Sequence, residues 1–469
     1  MMRLHMNRTA TAPTGYGIAL GASVWSVRGV TVLPAPSLAR TSLHARFLAG
    51  ATALVLAILT SVASPGVAGA ARSRVIHVND DAEAGGDGSA RSPYNNLPDA
   101  LAAARATSAD VVVSVAPGDY EVTSTLVIDR PLDLRGASDL IKDVDGLPTG
   151  AVAAGTETRI FAADSSLGAQ TVVAAGSTDG ATMSGLRVSG FVFEAAPAVV
   201  PGTTLFATRV QDFTIIGNVF RAPGFGVQTT ASSGRIADNH ISGASTGMIV
   251  NGGYPASPSE VTIVGNRSVR NTLGGLLLHG SSFGIPEHGD RLDAVVRNND
   301  LSDTKAQPAA FGLRLFVNRR DNPGAPGQSS GNVRALVQDN RIAGNRTGIV
   351  IDAGFPYRRV GTQCDGRVFS GSVDLTLVDN SLTGSVLTPA LVTFTRQTAA
   401  MDPSTLSGWQ YLHASTISIS DRHGSLAGAW IDHPERDPFV GPCPADAEQE
   451  VLGNTLLYNG VAVPNGRTF

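Results

Sequence analysis

Four strand-length segments begin with glycine and end with a residue that can bind a ligand or take part in a reaction. They are residues 247–251, 275–279, 312–316 and 348–352. Apolar side chains alternate within each segment, so the residues between them are expected to point away from the core. One outward column then contains Arg314. The neighbouring column contains Asn251, His279, Phe316 and Asp352.

His279, Arg314 and Asp352 are the candidate catalytic residues, and Asn251 and Phe316 are candidates for substrate binding. A histidine can act as a general base, and an arginine can neutralise the carboxylate of a uronate. Neighbouring strands lie about 4.8 Å apart, so side chains on successive levels can share one extended ligand. The alternative interpretation is that these polar side chains are only solvated.

In four rungs a long segment follows the glycine-entered strand. These segments are residues 252–260, 280–292, 318–332 and 353–372. We expect them to wall one side of the strands and deepen it into a groove, because loops on a rigid scaffold commonly carry binding residues. Further substrate-binding candidates in these segments are His288, Asp290, Arg319, Arg320, Tyr357 and Arg358. A groove of this composition suits an acidic or neutral polysaccharide.

A short motif precedes most of these strands. It consists of a usually apolar residue, then Gly, Asp or Asn, then Asn, any residue, and usually an apolar one. It recurs at Asn218, Asn239, Asn266, Asn299, Asn340, Asn380 and Asn454. A core phrase at unequal intervals is typical of a solenoid whose loops grow on one side. Each rung is predicted to contain a strand, an asparagine turn, a second strand and a loop. Asparagine suits such a turn because it tolerates a left-handed backbone, and stacked asparagines can bond one another.

Together with these repeats, the N-terminal part of the sequence resembles that of secreted proteins of the right-handed parallel β-helix (pectin-lyase-like) superfamily. The segments that carry this resemblance are residues 75–80, 86–89, 93–101, 111–120 and 132–136. The resemblance implies an all-β protein, a single-stranded right-handed parallel β-helix (solenoid). It also implies an N-terminal capping helix, which we place near residues 96–106, and an irregular C-terminal cap. Asn96 is a suitable N-cap, and Pro98 is tolerated in a first helical turn.

The resemblance does not transfer a catalytic set residue by residue. Pectate-lyase-like enzymes use an arginine or lysine beside calcium held by clustered aspartates, and related hydrolases use grouped carboxylates. Here Asp352 is the only aspartate in its predicted column, and Asp290 lies in a predicted loop. We therefore expect no cofactor, with calcium left open, and catalysis stays undecided.

Composition limits the partners. The net charge is −4 and charged residues make up 16% of the chain, which does not indicate a basic nucleic-acid footprint. Residues 1–70 are predicted to be a leader, since Arg46, an apolar run at 47–59 and small residues at 68–70 are typical of a secretory signal. The prediction is a secreted, extracellular protein. An uncleaved membrane anchor is the alternative.

The solenoid is predicted over residues 71–400, followed by a last coil and cap over 401–469. In an oxidising compartment Cys364 and Cys443 would form one disulfide, although two buried thiols are the alternative. We expect a monomer. The primary hypothesis is an exported protein that binds an extended polysaccharide or cell-envelope glycan. The alternatives are a lyase acting by β-elimination and a non-catalytic adhesion or structural protein.

Overall fold

The computed structural model describes residues 73–162, 173–176, 181–194, 202–221, 224–253, 259–282, 290–319, 331–353, 368–369, 372–393, 412–413, 416–422, 426, 430–432 and 455–463. The predicted leader, both cysteines, His288, Arg320, Tyr357 and Arg358 lie outside these residues. No described helix is long and apolar enough to cross a membrane.

Most strands belong to three sheets, and they are numbered in chain order. Sheet I contains β1 (Arg74–Val78), β2 (Val111–Val115), β5 (Leu132–Arg135), β11 (Leu186–Ser189), β15 (Phe213–Ile216), β18 (Gly234–Ala237), β21 (Ser259–Val264), β24 (Asp290–Arg297), β26 (Gly331–Gln338), β30 (Ser372–Val378), β34 (Thr416–Asp421), β36 (Thr455–Tyr458) and β37 (Val461–Ala462).

Sheet II consists of short strands that follow the asparagine turns. It contains β3 (Gly118–Glu121), β8 (Thr158–Phe161), β12 (Val192–Glu194), β16 (Val219–Arg221), β19 (His240–Ser242) and β22 (Arg267–Val269). Single bridges through Asp300 join β22 to the pair β27 (Arg341–Ala343) and β31 (Ser381–Thr383).

Sheet III carries the glycine-entered strands. It contains β4 (Leu126–Ile128), β9 (Val173–Ala175), β13 (Thr203–Thr208), β17 (Phe225–Thr230), β20 (Thr246–Asn251), β23 (Gly274–Ser282), β25 (Phe311–Arg319), β28 (Thr347–Ala353), β32 (Thr388–Thr393) and β35 (Trp430–Asp432). The remaining pairs are β6 (Leu140–Lys142) with β7 (Pro148–Val152), β10 (Met183–Ser184) with β14 (Val210–Gln211), and β29 (Val368–Phe369) with β33 (Leu412–His413).

Each strand of the three sheets pairs in parallel with its equivalent one rung away, except for the antiparallel hairpin of β36 and β37. This is a parallel β-helix, as predicted. The prediction of two strands per rung was wrong, because sheet II adds a third. Its strands are often three residues long, which is too short to display the alternation that identifies a strand from sequence.

The asparagines form a continuous ladder inside the coil. Each side-chain amide donates to the carboxamide oxygen of the next rung at 2.9–3.1 Å, from Asn218 through Asn239, Asn266, Asn299 and Asn340 to Asn380. Asn454 lies outside the described residues. The left-handed residue of each turn is the one before the ladder asparagine, for example Asp238 (φ 52°) and Asp339 (φ 54°). This corrects the expectation that the ladder asparagine itself takes that conformation, and it explains the preference for Gly, Asp or Asn at the preceding position.

The core is the inward column of all three sheets. On sheet III, Met248, Leu276, Leu313 and Ile349 are fully buried, which confirms their predicted orientation. The entry glycines sit where the backbone turns against the next rung. A Cβ at Gly247 would lie 2.0 Å from Ser268 Oγ, so a larger residue would clash at this corner.

Helix α1 (Leu97–Arg105) lies beside the first rungs. Asn96 Oδ1 accepts a hydrogen bond from the Asp99 backbone N–H at 2.9 Å, as an N-cap does. The buried face of the helix, which includes Ala100 and Leu101, joins the apolar core of the solenoid.

Candidate functional site

The outer surface of sheet III carries two columns of side chains that alternate with the core. The middle column is Phe206, Gln228, Ile249, Leu277, Arg314, Val350 and Leu391, and the outer column is Thr208, Thr230, Asn251, His279, Phe316 and Asp352. This register confirms the alignment predicted from the entry glycines. The glycine-led phrase does not identify Phe206 and Thr208, because β13 has Thr204 where the later strands have their entry glycine.

Hydrogen bonds orient Asn251 and His279 in the outer column. Asn251 is buried, and its Nδ2 donates to Thr230 Oγ1 at 3.1 Å. Its Oδ1 therefore faces His279, whose Nδ1 lies 3.0 Å away. With the amide in this orientation, Nδ1 of His279 carries the proton and the basic nitrogen of the ring is Nε2. Asn251 thus positions His279 from a buried place beside it.

An ion pair ends the described column. Arg314 Nη2 donates to Asp352 Oδ2 at 2.6 Å, and the Asp352 side chain is 1% exposed. The guanidinium carbon lies 4.7 Å from the centre of the Phe316 ring and 5.9 Å from that of Phe311. Arg314 Nε is buried, with no hydrogen-bond partner among the described residues.

The Phe316 ring contacts both the His279 ring and the Arg314 guanidinium. The His279 ring comes from the preceding rung and stacks on Phe316, with ring centres 5.0 Å apart and an angle of 23° between the planes. Arg314 crosses toward the following rung to reach Asp352. The structure thus brings together the five strand residues proposed from the sequence, Asn251, His279, Arg314, Phe316 and Asp352. The contacts that fix them run between rungs and depend on register.

Two other proposed residues lie on strands rather than in the predicted loops. Asp290 begins β24 and pairs with Gly331, while Arg319 ends β25 and pairs with Ser282. Strands β24 and β25 therefore continue into segments that the sequence predicts to be loops. Their apolar residues, such as Leu292 and Val317, continue the core there, which is why the chain remains extended.

The described residues contain no group of three or more His, Cys, Asp or Glu side chains placed to hold a metal ion. Elsewhere, Asp300 on the sheet II side accepts from Arg267 at 3.3 Å and Arg341 at 3.1 Å and is almost fully buried. That cluster links rungs to one another.

Comparisons with known proteins give one family and a set of similar folds. The model of the family described as "Protein of unknown function (DUF1565)" matches residues 79–368. A search of curated proteins finds no match to this chain.

The similar solved structures share low identity with this chain. The A-module of the Azotobacter vinelandii mannuronan C-5 epimerase AlgE6 is 14% identical, with a TM-score of 0.35 over 79% of this chain and 92% of that chain. The pectate lyase Pel9A is 12% identical, with a TM-score of 0.23 over 68% and 78%. The catalytic domain of a GH87 α-1,3-glucanase is 13% identical, with a TM-score of 0.25 over 65% and 66%. Because the family model covers more than half of the sequence, the chain belongs to the DUF1565 family, and its strand pairing makes its fold a parallel β-helix.

Proposed function

We propose that this protein binds an extended polysaccharide along the outer surface of sheet III. The observation that carries the proposal is the pairing of two columns over successive rungs. Half-buried hydrogen-bonding side chains such as Gln228 and Thr230 stand beside half-buried apolar ones such as Phe206 and Leu277. A sugar ring offers hydroxyl groups at its edge and C–H groups on its faces, so it can use both columns at once.

Rigidity supports the same proposal. Core residues alternate with the columns on each strand, and the ladder of hydrogen bonds between rungs fixes their spacing. A preorganised surface loses little conformational entropy when a ligand binds. The half-buried Phe206 and Gln228 extend the surface toward the N-terminus, and Thr203 Oγ1 donates to Gln228 Oε1 at 3.0 Å.

Cleavage by β-elimination is the second candidate function, with His279 as base and Arg314 and Asp352 completing the site. The orientation of Asn251 favours it, because His279 would then be basic at Nε2. The ion pair weighs against it, because Arg314 already neutralises a buried carboxylate and is a poor partner for a second one. We therefore rank binding ahead of cleavage.

The proposal extends to the ends of the chain. The leader at residues 1–70 exports the protein to the extracellular space, where the sheet III surface meets a cell-envelope or environmental glycan. Helix α1 closes the N-terminal end of the solenoid at 71–400, and residues 401–469 close the other end. Burial of Leu97 and Leu101 against the first rungs supports the role of the helix.

A glycan array tests the proposed function. The purified protein should be retained by at least one extended polysaccharide, and His279→Ala and Phe316→Ala should each weaken retention about tenfold or more, as truncation in the centre of an interface does. Arg334→Ala is the matched control, since Arg334 is exposed on sheet I and pairs with Asp374.

Retention that both sheet III variants leave unchanged would refute the proposed surface. Absorbance of an unsaturated product, followed in parallel on uronate-containing glycans, reports cleavage. Product formation that is lost in His279→Ala would move the protein to the second candidate function.

A further inference from the structure

We infer that the glycan is uncharged along the segment that contacts sheet III. This inference rests on the proposed function and narrows it to a class of ligand. It follows from the types of side chain in the two columns and from the ion pair between Arg314 and Asp352.

The middle and outer columns consist mainly of neutral groups. Apolar side chains fill most of the middle column, and hydroxyl or amide groups fill the first half of the outer column. The half-buried neutral hydrogen-bonding members are Thr208, Gln228 and Thr230. Such groups can donate to and accept from sugar hydroxyls, and they carry no charge to offset that of a carboxylate.

The ionised pair Arg314 and Asp352 is already neutralised within the protein. The two groups are in direct contact at 2.6 Å, with the carboxylate buried. The guanidinium also lies against the Phe316 and Phe311 rings, which limits where a ligand can approach it. The Arg314 guanidinium is thus already engaged by a carboxylate of the protein.

A polyuronate would bring one negative charge with each sugar. To bind Arg314, its carboxylate would have to displace or adjoin the Asp352 carboxylate, and either arrangement leaves two like charges around one cation. Juxtaposed like charges disfavour a partner strongly. A neutral chain meets no such opposition, since its hydroxyl groups need only the neutral donors and acceptors of the columns.

Calorimetry with length-matched hexasaccharides tests the inference. The probes are neutral hexamers of glucose, mannose and xylose, and charged hexamers of galacturonate and mannuronate, each titrated at low and high salt. At least one neutral hexamer should bind about tenfold or more tightly than both uronates, with a Kd that salt leaves unchanged.

Asp352→Asn supplies the decisive variant. It keeps the shape of the side chain and removes the charge that neutralises Arg314, so uronate binding should improve about tenfold at low salt and weaken again at high salt. Asp374→Asn is the matched control, because Asp374 pairs with Arg334 on the exposed side of sheet I. A cooperative thermal unfolding transition like that of the unaltered protein shows that each variant is folded.

The outcomes separate the two claims. Tighter, salt-sensitive binding of a uronate by the unaltered protein would overturn the inference of a neutral ligand and leave the proposed function standing. Binding of none of the hexamers, together with an empty glycan array, would overturn both.

Discussion

The ladder asparagine combines several tasks in one side chain. In Asn299, Nδ2 donates to Ile263 O, Arg297 O and Asn340 Oδ1, while Oδ1 accepts from the backbone N–H of Asn266. The Asn266 N–H lies in the turn between two strands, and Ile263 and Arg297 lie at or next to the ends of theirs. A buried polar group without a partner costs about 1–3 kcal/mol. The side chain therefore makes a tight, buried corner stable.

Replacement of Asn299 by serine should destabilise the protein by about 2–5 kcal/mol, because the shorter side chain leaves several buried groups unpaired. The measurement is the change in free energy of unfolding from denaturant titration. Asn380→Ser is the matched control, since Asn380 is half-buried at the end of the described ladder. Equal losses at the two positions would contradict the idea that burial sets the cost.

His240 gives a pH dependence whose sign is fixed by its surroundings. Burial lowers the pKa of His240 below its ordinary 6.5, the hydrogen bond to Pro148 O opposes that shift, and the positive charges of Arg267, Arg270 and Arg221 add to it. The folded state therefore favours the neutral ring. Its contribution to stability is complete above pH 6.5 and is lost as the pH falls through the lowered folded-state pKa.

We expect the free energy of unfolding to decrease as the pH falls from about 7 to about 5, and the decrease to be smaller in His240→Asn. Asp143 stays ionised over this range: desolvation raises its pKa, but hydrogen bonds from the Leu147 N–H and from Arg267 outweigh that effect and bring the pKa below its ordinary 3.8. Denaturant titrations across pH provide the measurement. His77→Asn, on the outer side of β1, is the control. An unchanged pH profile in His240→Asn would show that another group is responsible.

At the scale of elements, the hairpin β6–β7 acts as a strap over sheet II. The hairpin follows the first rungs in the sequence, and it contacts residues that lie about a hundred positions later in the chain. Lys142 Nζ contacts Asp238 Oδ1 at 2.8 Å, and Arg267 Nη2 contacts Asp143 Oδ2 at 2.5 Å. Pro148 O lies 3.2 Å from His240 Nδ1, so the strap also covers the histidine. It thereby joins several rungs along the solenoid axis.

Gly150→Ala should loosen this strap. A Cβ at Gly150 would lie 2.6 Å from His240 Cδ2, and the residue has φ +86°. Gly155→Ala is a close control, since Gly155 has φ +77° and nothing within 4 Å of the added atom. The backbone strain is thus similar in both variants, and only Gly150→Ala introduces a clash with His240. Hydrogen exchange over residues 140–152 should accelerate in Gly150→Ala only, and equal acceleration in both would assign the effect to backbone strain.

The elements that the sequence predicts well are those whose evidence is local or periodic. The entry glycines predict the strands of sheet III and the register that aligns Asn251, His279 and Phe316, because a repeated phrase carries its own alignment. The short strands of sheet II carry too few residues to show a period. The strap and the pair Arg314–Asp352 depend on contacts between distant positions, which neither composition nor spacing reveals.

For the whole molecule, stability is distributed along the stack. Each rung of a solenoid contacts mainly its neighbours, so its two ends are exposed unless another element covers them. At the N-terminal end, helix α1 places Leu97 and Leu101 against the first rungs. An uncovered strand edge is a template for pairing with a second chain. We therefore expect the helix to protect solubility as well as stability.

Leu101→Asp tests that protective role, because Leu101 is 4% exposed and a carboxylate there would be buried in the core. The cost of an unpaired buried charge exceeds the roughly 1 kcal/mol of a typical substitution, so the helix should detach. Ala102→Asp adds the same residue on the exposed side of the same helix. Light scattering on concentrated samples should show aggregation in Leu101→Asp and a soluble protein in Ala102→Asp. If Leu101→Asp stays soluble while hydrogen exchange shows the helix released, then protection of the first rungs must come from another part of the chain.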